Sequence, residues 1–118
     1  MDYPDVGRCA AEALSRGEVD RLILACGSGI GMALTANKVA GVRCAQATDL
    51  FEAVMSRRHN DVNALALRCR DQALEENLAI VEQWLKTEFE GGRHQRRVDK
   101  IMKIEQHRTA PEPSGEQG

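Results

Sequence analysis

Apolar positions along this chain fall into spaced stripes and short unbroken runs, and the two kinds alternate. Val6, Cys9, Ala10, Ala13 and Leu14 recur at helical spacing, which predicts an amphipathic helix opening near Pro4 and closing at Gly17. Leu22-Ile23-Leu24-Ala25 is a continuous apolar run, as expected of a buried strand. A helix follows to about Lys38, and Gly41 then leads into a second short strand, Val42 to Ala45. Asp49 is placed to cap a helix running through Val54 to about Arg57. The polar stretch His59-Asn60-Asp61-Val62-Asn63 reads as a loop ahead of a third strand, Ala64 to Leu67. Asp71 is placed to cap a long helix carrying Leu74, Leu78, Val81, Trp84 and Leu85. Gly91-Gly92 break that pattern, and a last helix carries Val98, Ile101, Met102 and Ile104.

Apolar strands alternating with helices predict an α/β fold, a doubly wound (Rossmann-like) parallel sheet with helices on both faces. Ligands of such sheets bind outside the carboxyl ends of the strands. Cys26 and the His59 loop are expected on that edge, or just before a strand. The chain opens on a helix and offers three strands, so the pattern predicts a sheet lacking its amino-terminal strand–helix–strand. One domain is expected over residues 1–108, and Pro111, Pro113, Ser114 and Gly115 mark residues 109–118 as a disordered tail.

Composition narrows the function classes. A chain of 118 residues with a net charge of −2 fits one small domain without a basic surface. Only Trp84, Tyr3, Phe51 and Phe89 are aromatic, which argues against stacking on nucleic acid bases. No apolar run is long enough for a membrane, and the start lacks a signal peptide's pattern. Cys9, Cys26, Cys44 and Cys69 are widely spread, with no Cys-x-x-Cys pair and no histidine at ligand spacing. Neither a disulfide framework nor a metal site is expected, and a reducing cytoplasm fits best. Cys9, Cys44 and Cys69 read as packing residues.

The candidate chemistry sits at Cys26-Gly27-Ser28-Gly29-Ile30-Gly31-Met32. Alternating glycines between a strand and a helix let backbone N–H groups face a ligand, and the helix's positive end favours an anion there. A cysteine at that turn can serve as base or nucleophile, because thiolates are stabilised at helix N-termini. Taken alone, the segment reads equally well as a backbone turn with a small buried thiol.

The turn is accompanied by Thr35-Ala36-Asn37-Lys38, Ser56-Arg57-Arg58-His59-Asn60-Asp61, Phe89-Glu90-Gly91-Gly92-Arg93-His94-Gln95-Arg96-Arg97-Val98 and Asp2-Tyr3-Pro4. Together these resemble the ribose-5-phosphate isomerase B family, which includes galactose-6-phosphate isomerase subunits. The likeness runs from Asp2 to about Arg108. It implies a doubly wound fold, homodimers or homotetramers with active sites shared between subunits, and aldose–ketose isomerisation without a cofactor or metal. Ribose 5-phosphate and ribulose 5-phosphate are the expected substrate pair. The resemblance makes Cys26 the base that takes the carbon 2 proton, and Gly27, Ser28 and Gly31 the loop that stabilises the enediolate. It gives His59, with Asn60 beside it, to ring opening. Arg70, Arg93 and Arg97 fall to the phosphate, and Tyr3 to the pocket. His94 reads as surface or structural. Family members begin with a strand ending in Asp-His that has no counterpart here, and Leu67-Arg68-Cys69-Arg70 is bulkier than the usual turn. The competing readings are a non-catalytic sugar-phosphate- or nucleotide-binding module and a truncated, weakly active remnant of the isomerase.

Overall fold

The computed structural model describes residues 2–107; the expected tail from Thr109 onward lies outside them. Five α-helices and three strands alternate as α1 (Tyr3–Ser15), β1 (Leu22–Cys26), α2 (Ile30–Asn37), β2 (Cys44–Gln46), α3 (Leu50–Asn60), β3 (Ala64–Arg68), α4 (Leu74–Lys86) and α5 (Arg93–Ile104). A single 3-10 turn, Glu105–His107, follows. The sheet is parallel, with order β1-β3-β2, so β3 is central. Leu22 stands opposite Ala64 and Cys26 opposite Arg68, while Cys44–Gln46 pairs with Ala64–Ala66.

Alternation along β3 builds two cores. Ala64 and Ala66 face Ala11, Leu14, Leu24, Met32 and Ala36 of the α1–α2 layer. Leu65 and Leu67 face Ala53, Ile80 and Trp84 of the α3–α4 layer. Helices therefore lie on both faces of the central strand, as the doubly wound pattern predicts. On β1 the cover is one-sided among the described residues: Leu24 is buried while Ile23 is 40% exposed.

Several local expectations shift. β2 begins at Cys44 rather than Val42, because Val42 N–H is engaged in a turn with Val39 O and Arg43 N–H with Asn63 Oδ1. Asp49 caps α3 as expected, accepting from the Glu52 N–H at 2.8 Å. Asp71 does not cap α4; it takes a left-handed turn conformation (φ 58), and Ala73 holds the N-cap position without a side-chain bond. The α1 stripe is rotated, with Gly7, Ala11 and Leu14 buried and Val6 exposed. At Gly7 the cause is close packing, since a Cβ there would meet Met32 Sδ at 2.9 Å. In α4, Asn77, Ile80 and Trp84 turn inward while Leu74, Leu78 and Leu85 are exposed; in α5, His94 and Val98 are buried while Ile101 and Ile104 are exposed. Cys9 and Cys69 are also exposed, so neither is a packing residue, whereas Cys44 is partly buried against the α1–α2 core.

Candidate active site

Helices that cross between parallel strands run opposite to them, so each begins at the carboxyl edge of the sheet and ends at the amino edge. That rule divides the candidate residues into two groups.

The first group sits at the carboxyl edge, around the end of β1. Cys26 is its last residue and half-buried. Its Sγ accepts from the backbone N–H of Gly29 at 3.2 Å. Gly29 is the N-cap of α2 in the left-handed region (φ 81), and a Cβ there would lie 3.1 Å from the backbone of Leu67. Only glycine fits that position without strain. The sulfur is thus held at the amino-terminal end of α2. Ser28 Oγ accepts from the Ile30 N–H at 3.1 Å, and the Ser28 carbonyl accepts from Gln46 Nε2 at 2.7 Å. Arg70 N–H donates to Gly27 O at 3.0 Å, and its guanidinium lies over Gly27, where a Cβ would be 3.3 Å from Nη2. Tyr3, at the start of α1, lies against Gly31, leaving no room for a side chain there. Tyr3, Cys26, Gly27, Ser28, Gly31 and Arg70 are therefore brought together: a thiol, backbone N–H groups, a guanidinium and a phenol.

The second group lies at the other end of the sheet. His59 and Asn60 are not in a loop; they form the last turn of α3. The helix outruns the sequence pattern because tertiary bonds fasten its end. Buried Arg57 donates through Nε to Thr87 O at 3.1 Å and through Nη1 to Val62 O at 2.7 Å and Asp61 Oδ1 at 2.9 Å. Asp61 then closes the helix in the left-handed conformation (φ 47). His59 precedes β3, whereas Cys26 faces the far end of β3. Four residue steps of strand separate those ends, about 13 Å, so His59 takes the second of its two expected places, just before a strand, and lies away from the carboxyl edge.

His59 stacks on His94, ring centroids 4.2 Å apart and planes inclined by 13°. Nε2 of His59 lies 3.9 Å and Nε2 of His94 3.6 Å from the same oxygen, Glu90 Oε1. His94 is 7% exposed, and burial pushes its pKa below the ordinary imidazole value, helped by the charges of His59, Arg93 and Arg97. Arg93 and Arg97 occupy successive exposed turns of α5 flanking His94. Asn60 lines a neighbouring apolar hollow with Val42, Cys44, Ile101 and Met102. Sequence reasoning assigned no role to Glu90 and read His94 as surface or structural; the structure shows His94 buried and stacked. The i,i+4 spacing of Glu90 and His94 was visible, but nothing local showed that the pair meets His59.

The fold and the carboxyl-edge thiol define a class, the doubly wound α/β proteins with a strand–glycine–helix turn at the carboxyl edge of a parallel sheet. Comparison narrows it. Residues 1–101 match the profile of the ribose/galactose isomerase family, and the chain belongs to that family. It is 47% identical over 108 residues to ribose-5-phosphate isomerase B of Escherichia coli, covering 92% of this chain and 72% of that protein. A D-erythrulose-4-phosphate isomerase of Pectobacterium atrosepticum is 43% identical over 99 residues, covering 84% of this chain and 65% of its own length. The solved ribose-5-phosphate isomerase B of Clostridium thermocellum superposes with a TM-score of 0.89 at 51% identity, over 92% of this chain and 74% of that one. The chain is a sugar-phosphate isomerase homologue. Among the described residues, no helix is long and apolar enough to cross a membrane.

Proposed function

We propose that this protein interconverts ribose 5-phosphate and ribulose 5-phosphate through an enediolate, with Cys26 as the base. The observation that carries the reading is the Cys26 sulfur held at 3.2 Å by the Gly29 N–H, at the N-terminus of α2. Removing a proton next to a carbonyl needs a base near neutral pKa and donors aimed at the developing oxyanion. Cys26 stands where the base is needed, and the N–H groups of the Gly27–Gly31 turn stand where the donors are needed. Ser28 orders the turn through Ile30 N–H, and Arg70 adds positive charge beside it. Arg93 and Arg97 are suited to a phosphate dianion, which guanidinium pairs grip better than ammonium groups.

His59 serves ring opening, with Asn60 beside it. Because His59 and Cys26 lie at opposite ends of one sheet, one copy cannot present both to a single pentose. Two copies can, the carboxyl edge of one completing the amino-edge group of the other. The catalytic unit is then at least a homodimer, and no cofactor or metal is required. A four-carbon ketose phosphate is the second substrate reading, favoured by the name of the Pectobacterium relative.

Two measurements test this reading. Cys26→Ala should lose carbon 2 proton exchange by several orders of magnitude while retaining sugar-phosphate binding; retained exchange would overturn Cys26 as base. Mixing inactive Cys26→Ala and His59→Asn proteins should restore part of the activity, since some mixed dimers carry one intact site. No recovery after verified subunit exchange would show that the two residues do not share a site.

A further inference from the structure

We propose that Glu90 is a positioning residue for His59: it holds the imidazole in the Nε2–H tautomer, leaving Nδ1 to move the substrate's proton. This rests on the reading of His59 as the ring-opening group.

The geometry is a single carboxylate oxygen facing the same edge of two stacked rings, 3.9 Å from Nε2 of His59 and 3.6 Å from Nε2 of His94. A neutral imidazole carries one proton, and its placement follows the partner that each nitrogen meets. A carboxylate attracts an N–H and repels a lone pair, so the proton of His59 belongs on Nε2. Glu90 is itself fixed. Its N–H donates to Arg58 O at 3.1 Å, and its second oxygen lies 3.9 Å from Arg58 Nε. Three residues before it, Thr87 O is held by Arg57; one residue after it, Gly91 O accepts the His94 N–H at 3.0 Å. The segment is fastened to α3 on one side and opens α5 on the other.

His94 completes the device. Buried and disfavoured as a cation, it gives His59 a flat neutral surface and restricts its ring rotation. The charged and titratable groups around the pair are Arg58 from α3, Glu90 from the connecting segment, and Arg93, His94 and Arg97 from α5. The same three ligating groups, His59, Glu90 and His94, lie within 4.8 Å of one another, as a metal site would require. Rings stacked nearly parallel cannot both aim an in-plane lone pair at one ion about 2 Å away. The stack therefore suits proton placement and does not suit metal binding.

With Nε2–H turned to Glu90, one nitrogen performs the whole proton transfer. Nδ1 takes the proton of the carbon 1 hydroxyl of the cyclic sugar. The bond from carbon 1 to the ring oxygen breaks as the carbonyl forms. The ring oxygen then takes the proton from Nδ1, and the imidazole returns to its starting state.

The test uses the full chain with ¹⁵N-labelled histidine. NMR of the neutral side chain should show His59 as Nε2–H, with the Nδ1–H form undetected. In Glu90→Ala the Nδ1–H form should rise to the proportion found in free histidine. Glu90→Gln, which keeps the size and removes the charge, should move the same way. For ribose 5-phosphate both variants should lose roughly tenfold in kcat, with KM changed less than twofold. Proton exchange from open-chain ribulose 5-phosphate should change less than twofold. An unchanged tautomer ratio in both variants overturns the proposal. A shifted ratio with equal losses on both substrates would overturn the proton-transfer role while leaving Glu90's hold on the tautomer standing. Loss of exchange in Cys26→Ala bears on the function reading alone.

Discussion

Tyr3 occupies the space that a side chain at position 31 would need: a Cβ on Gly31 would come within about 2.5 Å of its ring and hydroxyl. The contact joins the first turn of α1 to the first turn of α2, beside the thiol of Cys26. Tyr3 is half exposed, so its ring can swing away rather than break the fold.

Gly31→Ala should therefore fold normally. The helix gains up to ~1 kcal/mol from replacing glycine, which offsets the cost of moving Tyr3. The expected effect is on binding, a several-fold rise in KM for the sugar phosphate with little change in Tm. Combining it with Tyr3→Ala should add no further loss. Additive losses would mean that Tyr3 and Gly31 act independently.

The four thiols should separate on alkylation. Burial pushes the Cys44 thiol up to about 12, so it remains protonated at the pH of a labelling experiment. Iodoacetamide should modify it last, while modification of half-buried Cys26 should track loss of activity. Peptide mapping after partial labelling checks both. Early loss of Cys44 would contradict its burial against the α1–α2 core.

Arg57 is the fastening of the α3 end, with its side chain 6% exposed. Arg57→Ala would leave the carbonyls of Thr87 and Val62 without their donor, at a cost on the order of 3 kcal/mol. Arg57→Lys should recover little, because an ammonium cannot reproduce the forked bonds to two separate carbonyls. Urea unfolding measures both. A loss below about 1 kcal/mol in the alanine variant would show that the fork is dispensable.

Acid should weaken the fold through His94. Its folded pKa lies below the ordinary value of about 6.5, chiefly because it is buried. As pH falls through the ordinary value, the unfolded chain takes up a proton before the folded one does, so stability declines. The decline ends once the pH passes below the folded pKa. His94→Asn should show a shallower loss of Tm between pH 7.5 and 5.5 than the parent. Parallel curves would mean that His94 does not titrate differently on folding.

Much of this was legible in the order of residues. The run Leu22-Ile23-Leu24-Ala25, the glycines behind it and Asp49 ahead of an apolar stripe act over a few residues, so β1, the Cys26 turn and α3's cap followed from local rules. The motifs around Cys26, His59 and Arg93 were sufficient to point to the isomerase family. Tertiary structure decided what depends on distant partners. Leu74, Leu78 and Leu85 form as good a stripe as Asn77, Ile80 and Trp84, yet only the second set meets the sheet. Helical period marks faces, but only packing selects one. In the same way, β3 entered between β1 and β2, and the run of α3 back along it carried His59 to the end away from Cys26. The docking of α5 on α3 brought His94 and Glu90 to His59, because stacking and charge act through space and carry no signature in sequence spacing.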